Sequence, residues 1–189
     1  MKDVDEKIWR LLQEADGKYR VLVLMGSKSD SGTMQHTCQE LYNLGVSYLA
    51  LVTSAHRTWE RLAMVAASAE QSGFSIIIAG AGGSAHLGGM SSAMAPLLPV
   101  LVVAVPSKSN PINDQSAIGS SISMPAGCPL AFMGIGEAAA KNAALQAAAI
   151  LGISDPALRQ RLRDREAEQQ AAVPMHPEFT DGLPVAFPR

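Results

Sequence analysis

An excess of charge of either sign is missing from this chain: 15 Lys and Arg stand against 17 Asp and Glu, a formal net charge of -2. That balance supplies no broad basic surface, so no nucleic-acid partner is expected, although a local anion pocket is still allowed. Cysteine is scarce. Cys38 and Cys128 lie far apart, neither has a second cysteine or a histidine at metal-ligand spacing, and both are expected to be buried thiols. Long apolar runs are absent as well: the longest, Pro96 to Val105, is about half of what a membrane-spanning helix needs. The opening MKDVDEKIWRLLQEADGKYR carries charges throughout, where a signal peptide would have an apolar core. These absences predict a cytoplasmic chain with no membrane partner. Carboxylate pairs, metal-ligand clusters and nucleophile elbows are also lacking, which disfavours metal and covalent catalysis. There is no internal repeat and no low-complexity segment beyond an alanine bias.

What is present is an alternation of strand-like and helix-like segments. Val21 to Met25 is a short, continuous aliphatic run of the kind that forms a central parallel strand buried on both faces, and Val46 to Val52, Phe74 to Ile78 and Val100 to Val105 repeat that character. Thr33 to Leu44 and Trp59 to Gln71 carry helical spacing, with Gly45 and Gly73 placed as helix C-caps. Alternation with short connections implies right-handed βαβ crossovers. The expected architecture is a flavodoxin-like three-layer αβα sandwich around a parallel sheet. A leading helix over residues 4–14 places Val4, Ile8, Leu11 and Leu12 on one face, and Asp16 and Gly17 end it. Ser107 to Ser123 has no clear period and reads as a long ordered loop with at most one helical turn. A strand near Leu130 to Met133, an alanine-rich helix from Glu137 to Leu151, a charged helix from Asp155 to Ala171 and a proline-rich tail from Pro174 complete the chain. The alanine-rich helix packs closely either within the domain or between subunits; the tail is either disordered or laid across a partner. The division expected is a helical extension over 1–19, an α/β domain over 20–154, and a helix with tail over 155–189.

Three segments follow apolar runs: MGSKSD at 25–30, SAHRT at 54–58 and AGAGGSAHLGGM at 79–90. Loops after parallel strands converge on one edge of an open sheet, which is where small molecules bind. Gly26 lets the chain turn out of its strand, Ser27 and Ser29 supply hydroxyls, and Asp30 can accept from ribose hydroxyls near a helix N-terminus suited to phosphate. The plainer reading makes Ser29 or Asp30 a helix N-cap. The segment has neither the P-loop ending nor the dinucleotide glycine spacing, so a mononucleotide is the better fit. Ser54 and Arg57 suit phosphate, Thr58 suits a helix cap, and His56 is the side chain best able to move a proton near neutral pH. Five glycines within ten residues of the third loop, Gly80, Gly82, Gly83, Gly88 and Gly89, suit a backbone lying against a flat ligand. His86 is either a ligand for a substrate carboxylate or a structural residue at a helix start. His36 reads as a surface residue, and Met90 and Met94 read as core.

Taken in order with MPAGCPL at 124–130 and KNAALQAAAIL at 141–151, these motifs resemble the PurE family of purine biosynthesis across about Val21 to Leu151. The resemblance implies the class I activity, a mutase that converts N5-carboxyaminoimidazole ribonucleotide to 4-carboxy-5-aminoimidazole ribonucleotide with no cofactor, in a homo-octamer whose sites lie at subunit contacts. It implies that Gly26, Ser27, Ser29 and Asp30 hold ribose and phosphate with Ser54, Ala55 and Arg57, that His56 transfers protons, and that Ala81, Gly82, Gly83, His86 and Leu87 pack on the imidazole and carboxylate. NDQSAIGSSISMPAG at 113–127 departs from the class I wording GVDSLxSIxQMPxG, and its Ser120 and Ser121 are closer to the class II branch, which carboxylates aminoimidazole ribonucleotide directly. Arg57 and the AGAGGSAH wording favour the mutase, since class II typically has a lysine and an AGRSN-type loop there. A nucleotide-binding module without turnover is the non-enzymatic alternative.

Overall fold

The aliphatic runs become the strands of one parallel sheet whose three central members are buried on both faces by helices. The computed structural model describes residues 3–15, 17–106 and 112–178. Its strands are β1 (Val21–Met25), β2 (Tyr48–Val52), β3 (Ile76–Ala81), β4 (Val100–Ala104) and β5 (Ala131–Ile135), in the order β2-β1-β3-β4-β5. The helices are α1 (Asp3–Gln13), α2 (Ser31–Asn43), α3 (Trp59–Ser68), α4 (His86–Met94), α5 (Ile112–Ile122), α6 (Gly136–Leu151) and α7 (Pro156–Ala171). Every strand pair is parallel. The sheet order reverses at β1, so the crevice between the carboxyl ends of β1 and β3 is the switch point of a doubly wound fold.

Two cores lie on opposite faces. On one, Leu22, Leu24, Ile77 and Val102 pack with Leu62 and Val65 of α3, Leu87 of α4, Ala117 of α5, and Ile8 and Leu12 of α1. On the other, Val21, Val23, Ile76 and Ile78 pack with Met34 and Leu41 of α2, the alanines of α6, and Leu158 of α7. The three-layer expectation holds. The alanine face of α6 is internal: Ala140, Ala143, Ala144, Ala147 and Ala148 are fully buried, and the Thr37 hydroxyl on α2 donates to the Ala140 carbonyl at 2.9 Å. Gly17, Gly45 and Gly73 follow their helices with φ of 74°, 65° and 86°, values that side chains with a Cβ rarely adopt.

Several expectations need correction. Most of the stretch expected as a loop before Ser123 is the 11-residue helix α5, while 107–111 lies outside the described residues. Its inward face is built from Ala117 and Ser121, four residues apart and both buried, so no large apolar side chain marks the period. β3 extends to Ala81, three residues beyond the run expected, and takes in Gly80, whose missing side chain leaves room for Met34. On α1, Ile8 and Leu12 are buried while Val4 and Leu11 are exposed, a narrower apolar stripe than the spacing suggests. β2 is an edge strand with Ala50 and Val52 exposed, in contrast to the fully buried β1. Cys38 and Cys128 are half-buried, and burial pushes the Cys38 thiol up although Tyr48 hydrogen-bonds to it. Met90 and Met94 pack against the core as expected. Tail residues 174–178 are exposed, and 179–189 lie outside the described residues.

Candidate active site

A cleft of about 1060 Å³ opens at the carboxyl edge of the sheet. It gathers Gly26, Ser27, Ser29 and Asp30 of the first loop, Ser54, Ala55, His56 and Arg57 of the second, and Ala81, Gly82, Gly83, His86 and Leu87 of the third, while Gly80, Gly88 and Gly89 stand outside its lining. These lining residues, each at or past a strand end, meet in one place because β2, β1 and β3 are adjacent and parallel.

The first loop is a single 3-10 turn, Lys28–Asp30, held by a reciprocal cap. The Ser27 hydroxyl oxygen accepts from the Ser29 amide at 3.4 Å and from the Ser29 hydroxyl at 3.1 Å; Asp30 Oδ2 accepts from the Ser27 amide at 2.9 Å. The cap residue is therefore Ser27, with Asp30 as its partner, and Asp30 makes no side-chain cap to α2. Asp30 is only 6% exposed. Burial raises its pKa above the ordinary 3.8, against the lowering effects of bonds from Ser27, Ser29 and Gly26 and of the Arg57 charge. The Gly26 amide donates to the Gly80 carbonyl at 3.0 Å, joining the first loop to β3.

The second loop closes on itself. Thr58 Oγ1 accepts from the Ser54 amide at 2.8 Å and donates to the Ser54 carbonyl at 3.3 Å, while Ser54 Oγ accepts from the Arg57 amide at 3.2 Å. Thr58 thus spends its hydroxyl on the loop and makes no side-chain cap to α3, a correction to the sequence reading. The resulting turn presents His56 and Arg57 to the cleft.

Of the five glycines in the third segment, only two have the cleft as their place. Gly82 and Gly83 line it, and Gly83 has a φ of 67°. A methyl at Gly80 would overlap Met34, one at Gly88 would overlap Val102, and one at Gly89 would press on Met124, so those three permit close packing. His86 opens α4, and its Nδ1 lies 2.9 Å from His56 Nε2, with the rings perpendicular at 82° and centroids 5.0 Å apart. A pair so placed shares one proton: one ring donates and the other accepts, so the tautomer of each dictates that of the other.

Sequence reasoning missed a second wall. Gly32, Thr33 and His36 of α2, Glu137 of α6, and Val105, Pro106 and Ser84 also line the cleft. His36 Nε2 lies 3.5 Å from Glu137 Oε2, and Lys141 Nζ lies 2.7 Å from Glu137 Oε1. The Lys141 hydrogen bond and the His36 and Lys141 charges hold the Glu137 carboxyl below its usual range. The signal was the helical period: Gly32 and His36 stand four residues apart, so a helix whose first turn meets the cleft brings both to it. Glu137 stands two residues past the end of β5, and the strand-end rule that found the other loops applies to it too. Among the described residues, no three His, Cys, Asp or Glu side chains gather as metal ligands.

The AIR carboxylase family model matches residues 20–172. The N5-carboxyaminoimidazole ribonucleotide mutase of Brucella melitensis is 47% identical over 157 residues, covering 83% of this chain and 95% of the relative. The protein of the same name from Escherichia coli K12 is 45% identical over 159 residues, covering 84% and 92%. A crystal structure of Treponema denticola PurE matches with a TM-score of 0.69 at 28% identity, over 80% of this chain and 91% of that one. Fold and cleft define a parallel-sheet α/β protein with an open cleft at its switch point. Within that class, the chain belongs to the AIR carboxylase family.

Proposed function

We propose that the chain is an isomerase of purine biosynthesis that converts N5-carboxyaminoimidazole ribonucleotide to 4-carboxy-5-aminoimidazole ribonucleotide. The observation that carries this reading is the His56–His86 pair, 2.9 Å apart, in the cleft that also holds the GSKSD loop and Arg57. The names of its relatives, at 42–47% identity, support the same activity.

Ser27, Ser29, Ser54 and Arg57 hold the phosphate, and Asp30 accepts from the ribose. Gly82, Gly83 and Leu87, with Ala81 and Ala55, make a close wall for the imidazole ring. In the first half-reaction the bond from the exocyclic nitrogen to the carboxylate breaks, CO2 leaves, and the nitrogen takes a proton from His56. In the second half, the ring carbon attacks that CO2, the new carbon–carbon bond forms, and His56 takes the ring proton. The histidine ends as it began, and the net change is one migrated carboxylate. Retaining CO2 beside the ring keeps its effective concentration high, so positioning and exclusion of water supply much of the rate.

His86, whose Nδ1 lies 2.9 Å from His56 Nε2, orients that ring and sets its tautomer. His56→Asn is the direct test. Turnover should fall by more than about a hundredfold, the scale of a lost general acid–base, while nucleotide binding by calorimetry persists. Activity equal to the native chain would contradict the role of His56.

A further inference from the structure

The site loop SAHRT is anchored from behind by a helix outside the family match. α1 ends before residue 20, where the family model begins, yet it packs on α3, with Ile8 and Leu12 buried in the same core as Leu62, Val65 and Ala66. At its open end Asp5 Oδ1 accepts from Arg61 Nε at 2.6 Å, in a pair whose side chains are 18% and 16% exposed. Arg61 Nη1 also reaches the carbonyl of Val52 at 3.3 Å. Val52 is the last residue of β2, and Arg61 lies in the first turn of α3. One guanidinium therefore ties the strand that enters the loop to the helix that leaves it. Between those ends stand Ser54, His56 and Arg57. Arg57 lines both the cleft and a second hollow of about 630 Å³ whose wall includes Asp5 and Arg61.

We propose that α1 is a positioning element for the SAHRT loop, acting through the Asp5 carboxylate on Arg61. Arginine suits this task because its rigid fork can hold a carboxylate and a carbonyl at once, and partial burial keeps the pair from being screened by solvent. Without the Asp5 carboxylate, Arg61 loses the partner that fixes its fork, and the loop gains freedom at both ends. The loop carries both the proton-transfer residue and a phosphate ligand, so its loosening affects kcat and KM together. This kinetic consequence rests on the mutase reading; the anchoring does not.

The test is hydrogen exchange on the full chain, native and Asp5→Asn, read at the amides of Arg57 and Thr58, which bond back to Ser54. Exchange there should rise about tenfold while the α6 amides keep their protection. Turnover of N5-carboxyaminoimidazole ribonucleotide should fall about tenfold in kcat with a raised KM, and Asp5→Glu should recover most of both. Unchanged loop exchange in folded Asp5→Asn overturns the proposal. If that variant does not fold, Arg61→Lys serves instead: it keeps a cation for Asp5 and loses the reach to Val52, so loop exchange should rise with α1 still protected. Native-like loop protection in Arg61→Lys would overturn the proposal as well. A native chain inert toward the nucleotide, with a loop loosened by Asp5→Asn, would support the anchoring and contradict the mutase reading alone.

Discussion

At the scale of single residues, the cleft sets one deeply buried carboxyl, Asp30, within reach of the Arg57 charge. Asp30 has a pKa raised by burial, and the sign of its effect on stability follows. Below 3.8 the carboxyl is protonated in folded and unfolded chains alike, and its contribution is fully present. As pH rises, the unfolded chain ionises first, so that contribution is lost through the folded pKa above 3.8. Urea unfolding of the native chain and Asp30→Asn across a pH series should show the native chain losing stability relative to the variant from 3.8 upward. A difference that stays flat with pH would contradict this account of Asp30. Residue types made the loops legible, since serine, arginine and histidine after strands point to an anion and a proton. The glycines misled in part, because a glycine beside Met34 or Val102 looks the same in sequence as one beside a ligand.

At the scale of elements, the parallel strands and their helices could be read from continuous aliphatic runs and glycine stops. The elements that escaped were those whose inward face is small. α5 offers Ala117 and Ser121 to the core and carries Gly119, a poor helix former, so neither its period nor its propensity announces a helix. α6 was legible as a helix, but its partner was not: alanines permit close approach without saying to what. The structure puts α2 and the sheet there, and the contact is tight enough that added bulk has nowhere to go. Ala144→Leu should lower stability by about 1–3 kcal/mol through overpacking, measured as a shift of the denaturant midpoint. A midpoint equal to the native one would show that α2 and α6 have room between them. The second wall of the cleft, His36 and Glu137, was missed because sheet-edge reasoning stops at the loop, whereas the first turns of α2 and α6 also meet the edge.

At the scale of the whole molecule, the proposed activity needs one mononucleotide at the switch point of the doubly wound sheet. The PurE resemblance implies a homo-octamer, so mass measurement in solution should give eight times the 19.9 kDa chain. A monomer would remove the expectation of sites at subunit contacts. The central claim is that the carboxylate migrates within the site instead of arriving from solution. N5-carboxyaminoimidazole ribonucleotide labelled with 13C in its carboxylate, supplied to the enzyme in unlabelled bicarbonate, tests this directly. Label retained in the 4-carboxy product, with no product from aminoimidazole ribonucleotide plus bicarbonate at the same enzyme concentration, is the predicted result. Product formed only from aminoimidazole ribonucleotide and bicarbonate, or carrying no label, would contradict it.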